Sequence, residues 1–100
     1  MKIFLTRSAE QDLMDGFSFY ERQAAGVGTY FLDSLFADID SLVLYAGIHP
    51  KPDGRFHRTL AKRFPYAVYY EMDGESVTVV AILDCRRNPV LIHDTLAERQ

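Results

Sequence analysis

One hundred residues suffice for a single domain with one core but leave little for a deep enclosed active site, so any site is expected at the surface. Apolar residues make up 48% of the chain and aromatics 13%, enough for a packed globule, and no apolar run approaches the roughly 20 residues that span a bilayer. The net charge of −3 argues against a general nucleic-acid binder, and a lone Cys85 allows no internal disulfide, which fits a reducing cytoplasm.

Lys2 to Leu5 is apolar and β-prone, an expected edge strand, and no cleavable signal peptide is visible in this opening segment. Ser8 and Gln11 then have the spacing of a capping box that would open a first helix. Ala9, Leu13, Phe17, Tyr20 and Ala24 recur every three or four residues and define its core face, with Asp12, Asp15, Glu21 and Arg22 mostly elsewhere. Gly26-Val27-Gly28 breaks the pattern, and Phe31, Leu35, Ile39 and Leu42 define a second helix. So short a link predicts an antiparallel helical hairpin. Asp33, Asp38 and Asp40 do not share one helical face, so they are read as a solvated acidic surface and no metal is expected.

The segment AGIHPKPDG, with two prolines and two glycines, is a loop, and His49 within it is expected at the surface. RFHRTL alternates loosely as a strand and ends at Phe64-Pro65. YAVYYEM and ESVTVVAIL follow as a β-hairpin closed at Asp73-Gly74. Asn88-Pro89 has the chemistry of an N-cap and first helical position, although VLIHDTLAERQ fits a short strand equally well. The fold class is therefore α+β, an N-terminal helical hairpin packed on one face of a small twisted antiparallel sheet, in a single domain spanning 1–100.

Charge is segregated along the chain. Residues 1–48 hold three cationic and seven anionic side chains, whereas 49–70 hold Lys51, Arg55, Arg58, Lys62 and Arg63 against Asp53 alone. An acidic layer thus backs a basic sheet entry. No phosphate-cradling glycine loop, paired cysteines, zinc-protease helix or nucleophile elbow is present, so no cofactor is expected. What remains is a constellation of Arg58, Arg63, Arg86, Arg87, Tyr66 and His93. It offers cations for phosphate and acid/base groups for attack by an RNA 2′-hydroxyl, or a basic face for a partner.

The order of elements, with the phrases DLMDGFSFYERQAAGVGTYF, KRFPYAVYYE and VTVVAILDCRRNP, resembles the RelE/ParE superfamily, the toxins of bacterial type II toxin–antitoxin pairs, also called plasmid stabilisation proteins. The resemblance implies a cytoplasmic growth inhibitor neutralised by a cognate antitoxin. Such partners are acidic tails that fold on binding, and Tyr20, Tyr30 and Phe36 with Arg58 and Arg63 are the residues expected to receive one; Arg86 and Arg87 are further candidates for antitoxin or target contact. RelE-like members cleave messenger RNA on the ribosome, and their pattern maps onto Arg58, Arg87 and His93. Leu60 and Ala67 stand where two further cations are expected. A methyl group cannot stabilise developing phosphorane charge, so the departures bring the chain closer to ParE-like members, which inhibit DNA gyrase by contact.

Overall fold

The computed structural model describes residues 1–99. Strand β1 (Lys2–Leu5) leads into α1 (Arg7–Gln23) and α2 (Val27–Asp40), and the short α3 (Leu42–Tyr45) follows. A loop then reaches β2 (His57–Leu60), the hairpin β3 (Tyr66–Asp73) and β4 (Ser76–Asp84), and α4 (Pro89–Glu98). The sheet order is β1-β4-β3-β2. Strands β2, β3 and β4 are antiparallel as expected, but the sheet is mixed, because β1 lies on the far edge parallel to β4. The long helical hairpin between β1 and the rest of the sheet makes this possible, since parallel neighbours need a crossover rather than a tight turn.

Local chemistry explains the boundaries. The cap of α1 is Thr6, whose hydroxyl accepts from the Ala9 amide at 3.1 Å, so the Ser8–Gln11 box is not used and the helix starts two residues earlier. Helix α2 has no cap side chain of its own. Glu21, in the last turn of α1, accepts from the amides of Gly26 and Gly28 at 3.0–3.1 Å and so fastens the two helices at their junction. Leu42 is buried as predicted but belongs to α3, after a break at Ser41. The β3–β4 loop is Gly74-Glu75, one residue later than the sequence suggested, because Asp73 pairs with Ser76. Gly74 has φ +60 and no non-glycine residue has positive φ, which selects the turn with glycine at its first central position.

Two cores lie on opposite faces of the sheet. Leu13, Phe31, Leu35 and Ile39 of the hairpin pack on Val68, Tyr70, Val77, Val79 and Ile82. On the other face Leu96 and Ile92 of α4 pack with Phe56, Ala67, Tyr69, Val80, Ala81 and Leu83. The helices are therefore not all gathered on one face: the tail is helical, with Asn88 Oδ1 accepting from the Val90 amide, and it covers the reverse side. A register shift opposite Tyr69 and Tyr70 changes which residues of β4 face each core. Tyr69 pairs with Ala81 and Tyr70 with Val79, so Val80 is an extra residue and the inward parity of β4 changes from odd to even, from Val79 to Ile82.

Close approach of α1 and α2 depends on two glycines. A Cβ on Gly28 would lie 2.7 Å from the Phe17 carbonyl oxygen and 2.9 Å from the Glu21 Cβ, with backbone on one side that cannot move aside. Gly28→Ala is therefore expected to destabilise the fold by about 2 kcal/mol, even though alanine is the better helix former. A urea titration with unchanged slope and a lower midpoint would show it. An unchanged midpoint would mean that the hairpin has slack at this point.

Candidate functional site

The aromatic residues of the hairpin divide into core and surface. Tyr20 is half-buried and stacks on Phe31 at 5.2 Å, with Phe64 edge-on at 4.8 Å and Tyr66 at 6.3 Å, so most of its ring belongs to the core. Tyr30 and Phe36 are exposed on α2. The Arg63 guanidinium lies 5.9 Å from the centre of the Tyr30 ring.

Two clefts flank α2. One, about 410 Å³, is lined by Tyr30, Asp33, Ser34, Asp38, Lys62 and Arg63. Asp38 is buried rather than part of a solvated acidic surface. Its carboxylate accepts from the Lys62 amide at 3.1 Å and so ties α2 to the segment after β2, while Asp33 and Asp40 face solvent as expected. The Ser34 hydroxyl beside it is buried with no hydrogen-bond partner among the described residues. The other cleft, about 470 Å³, is apolar and runs between β1 and the hairpin, lined by Ile3, Phe4, Leu5, Met14, Leu32 and Phe36. Phe4, Met14 and Phe36 remain 44–51% exposed there, which leaves a continuous apolar surface uncovered.

The cations read from the sequence do not converge on one point. Arg58 and His93 come together with Tyr69 in a cavity of about 170 Å³ on the α4 face, walled by Pro52 and Asp53. Arg87 lines a different cavity, of about 240 Å³, with Tyr66, Asp15 and Asp84. Arg86 is held by Asp84 through two bonds of 2.7 and 3.0 Å, and this guanidinium keeps the Asp84 carboxyl below its usual range. Burial pushes the Tyr66 phenol up to about 12, which disfavours it as a base near neutrality. Cys85 is exposed, yet desolvation of its sulfur raises the thiol and leaves it a poor nucleophile.

Leu60 and Ala67 prove to be cross-strand partners. Arg58 and Tyr69 are the neighbouring pair on the same face, since like-facing residues alternate along both strands. The strip beside Arg58 is thus occupied by an isobutyl group, exposed, and a methyl group, buried. Among the described residues no cluster of three or more histidine, cysteine or carboxylate side chains could hold a metal ion, and no helix is long and apolar enough to cross a membrane.

This fold is similar to that of a solved structure titled "Chromosomal ParDE TA system from P. aeruginosa". The two superpose with a TM-score of 0.75 over 82% of this chain and 92% of that one, at 16% identity, which shows a shared fold. The family model described as the ParE toxin of the type II toxin–antitoxin system parDE matches residues 3–89, and the chain belongs to that family. It is the toxin half of such a pair. No curated protein matches the chain significantly.

Proposed function

We propose that this ParE-family toxin acts by protein contact on DNA gyrase rather than by cutting RNA, and that a cognate antitoxin neutralises it by lying along α2. The observation that carries the first part is the Leu60–Ala67 pair. A ribosome-dependent nuclease of the RelE type would need cations on this strip, and each missing one removes about 3 kcal/mol of transition-state stabilisation. Arg87, facing another cavity, does not make up the loss. One observation favours the second reading, cleavage of messenger RNA: Arg58, Tyr69 and His93 share a cavity on the same face.

The two readings separate when the toxin is induced without its antitoxin and translation is followed beside DNA replication and the SOS response. Early DNA-damage signalling with translation intact is the expected result. An early translation block, relieved by Arg58→Ala, would replace gyrase with ribosome-bound messenger RNA.

For the antitoxin, the apolar cleft at Phe4, Met14 and Phe36 and the cationic rim at Lys62 and Arg63 flank one helix and together suit an amphipathic acidic segment. Arg63→Glu is expected to weaken the complex by about tenfold or more, and raised salt is expected to weaken the wild-type complex in the same direction. Titration calorimetry at two salt concentrations measures both. Equal affinity in all four conditions would remove the electrostatic part of the interface.

A further inference from the structure

The loop 46–56 between α3 and β2 is held to the sheet by a small network that the toxin's target and antitoxin do not explain. His49, expected at the surface, is half-buried, and its Nδ1 lies 2.6 Å from the hydroxyl of Tyr70 on β3. The same hydroxyl accepts from the Gly47 amide at 2.9 Å. His57 on β2 stacks on the Tyr70 ring at 4.9 Å with 17° between the planes, and its Nδ1 lies 2.7 Å from the His49 carbonyl oxygen. A carbonyl oxygen only accepts, so His57 carries its proton on Nδ1.

Tyr70 is fully buried. With the Gly47 amide already donating to its oxygen, the phenol proton is placed on His49 Nδ1, which must then be bare, with the ring proton on Nε2. Protonation of His49 puts a hydrogen on Nδ1 and sets two donors against each other. Tyr70 would then have to turn its own proton away from His49, or His49 would have to leave.

We propose that loop 46–56 is a pH-sensitive strap: neutral His49 pins it to the sheet through Tyr70, and protonation of His49 releases it and opens the cavity lined by Arg58, Tyr69 and His93. The release reaches that cavity directly. Pro52 and Asp53 form part of its wall, and Arg58 itself donates its amide to the Pro50 carbonyl at 2.8 Å. The titratable groups facing His49 are the Tyr70 phenol from β3 and the His57 imidazole from β2. Among the described residues neither histidine forms an ion pair with a carboxylate, so nothing anionic offsets a charge on His49. Within the loop Asp53 is occupied by the amides of Arg55 and Phe56.

Burial, and secondarily His57, lowers the His49 imidazole below its ordinary 6.5, while burial raises the Tyr70 phenol and keeps it protonated. The unfolded or released loop therefore takes up a proton that the pinned loop refuses. The strap is tight above about pH 6.5 and weakens as pH falls from there toward the lower value of the pinned ring, with each unit of separation worth about tenfold in the opening equilibrium.

The test is amide hydrogen exchange on the full isotope-labelled chain from about pH 7.5 to about pH 5, with the His49 ring followed in the same samples. After correction for intrinsic exchange, protection of the Gly47 amide is expected to fall by about tenfold as pH drops from about 6.5 through the range in which the pinned His49 ring takes up its proton. The Tyr30 amide within α2 should stay protected throughout. His49→Gln keeps a neutral acceptor near Tyr70 and should abolish the step. Gly47 protection that stays flat while His49 titrates, an equal loss at Tyr30, or a step that persists in H49Q would each overturn the proposal. The wild-type measurement decides the matter even if the variant does not fold.

Discussion

Asp12→Ala is expected to lower the stability of the folded chain by about 3 kcal/mol, although the residue reads as one more surface charge on an amphipathic helix. Its carboxylate accepts from the Ile82 amide at 2.9 Å and from both terminal nitrogens of Arg99 at 2.8 and 3.0 Å. Arg99 in turn donates to the Val80 carbonyl at 2.8 Å. Val80 is the extra residue of β4 and Ile82 follows two positions on, while β1 ends at Leu5, opposite Val79. Beyond that point β4 has no strand on its outer edge, and the Asp12–Arg99 pair takes the place of one. Both side chains are largely buried, Asp12 at 12% and Arg99 at 18% exposure, so removing the carboxylate leaves a largely buried cation and an unpaired backbone donor together. Asp15, one turn on and exposed, accepts a hydrogen bond from the Gln11 side chain, and Asp15→Ala should change stability by less than about 0.5 kcal/mol. Denaturant titration of the two variants checks the contrast. Replacing Asp12 and Arg99 together by apolar residues should recover only part of the loss, because the Val80 carbonyl and Ile82 amide stay unpaired.

This pair also marks where the sequence stops being legible. The spacing of Leu13, Phe31, Leu35 and Ile39 shows the helical hairpin because burial on one face imposes a local period, and the hairpin strands show for the same reason. Long-range pairing leaves no such trace: Asp12 and Arg99 are 87 residues apart, and nothing around either distinguishes it from a solvated charge. The extra residue at Val80 is hidden because VVAIL, from Val79 to Leu83, is apolar throughout, so a change of parity there moves no polar residue from one face to the other. Thr6 and Ser8 are both competent caps, and only the entry of β1 into α1 selects the first. In the candidate site, Tyr30 and Arg63 lie together, and Arg58 meets His93. Arg87 is carried to another cavity, because the turn after β4 points its side chain toward Tyr66. His49 was illegible in another way: a proline- and glycine-rich loop reads as exposed, and only the buried Tyr70 hydroxyl gives its ring a partner.

Phe31→Ala is expected to have the largest effect of any substitution in the hairpin, a loss of about 4 kcal/mol. The ring is fully buried and touches Tyr20, Phe64 and Tyr66 at centroid distances of 4.9–5.2 Å, so its removal leaves a cavity walled by rigid rings that cannot collapse into it. On the same helix Phe36 is 44% exposed in the apolar cleft, and Phe36→Ala should leave stability within about 0.5 kcal/mol while weakening antitoxin binding. That contrast separates loss of fold from loss of interface. A second substitution makes the packing argument sharper. A Cβ on Gly16 would lie 2.5 Å from the Phe31 ring, so Gly16→Ala must destabilise the wild-type chain by overpacking. In the Phe31→Ala background the obstructing ring is gone, and the same methyl enters an empty space while adding up to about 1 kcal/mol of helix propensity. Gly16→Ala is therefore expected to reverse sign, destabilising the parent and stabilising the variant, with a coupling of about 2 kcal/mol or more in a double-mutant cycle. Additive effects would mean that α1 and α2 shift apart to accommodate the methyl, and that the close approach at Gly16 does not fix the position of the hairpin over the sheet.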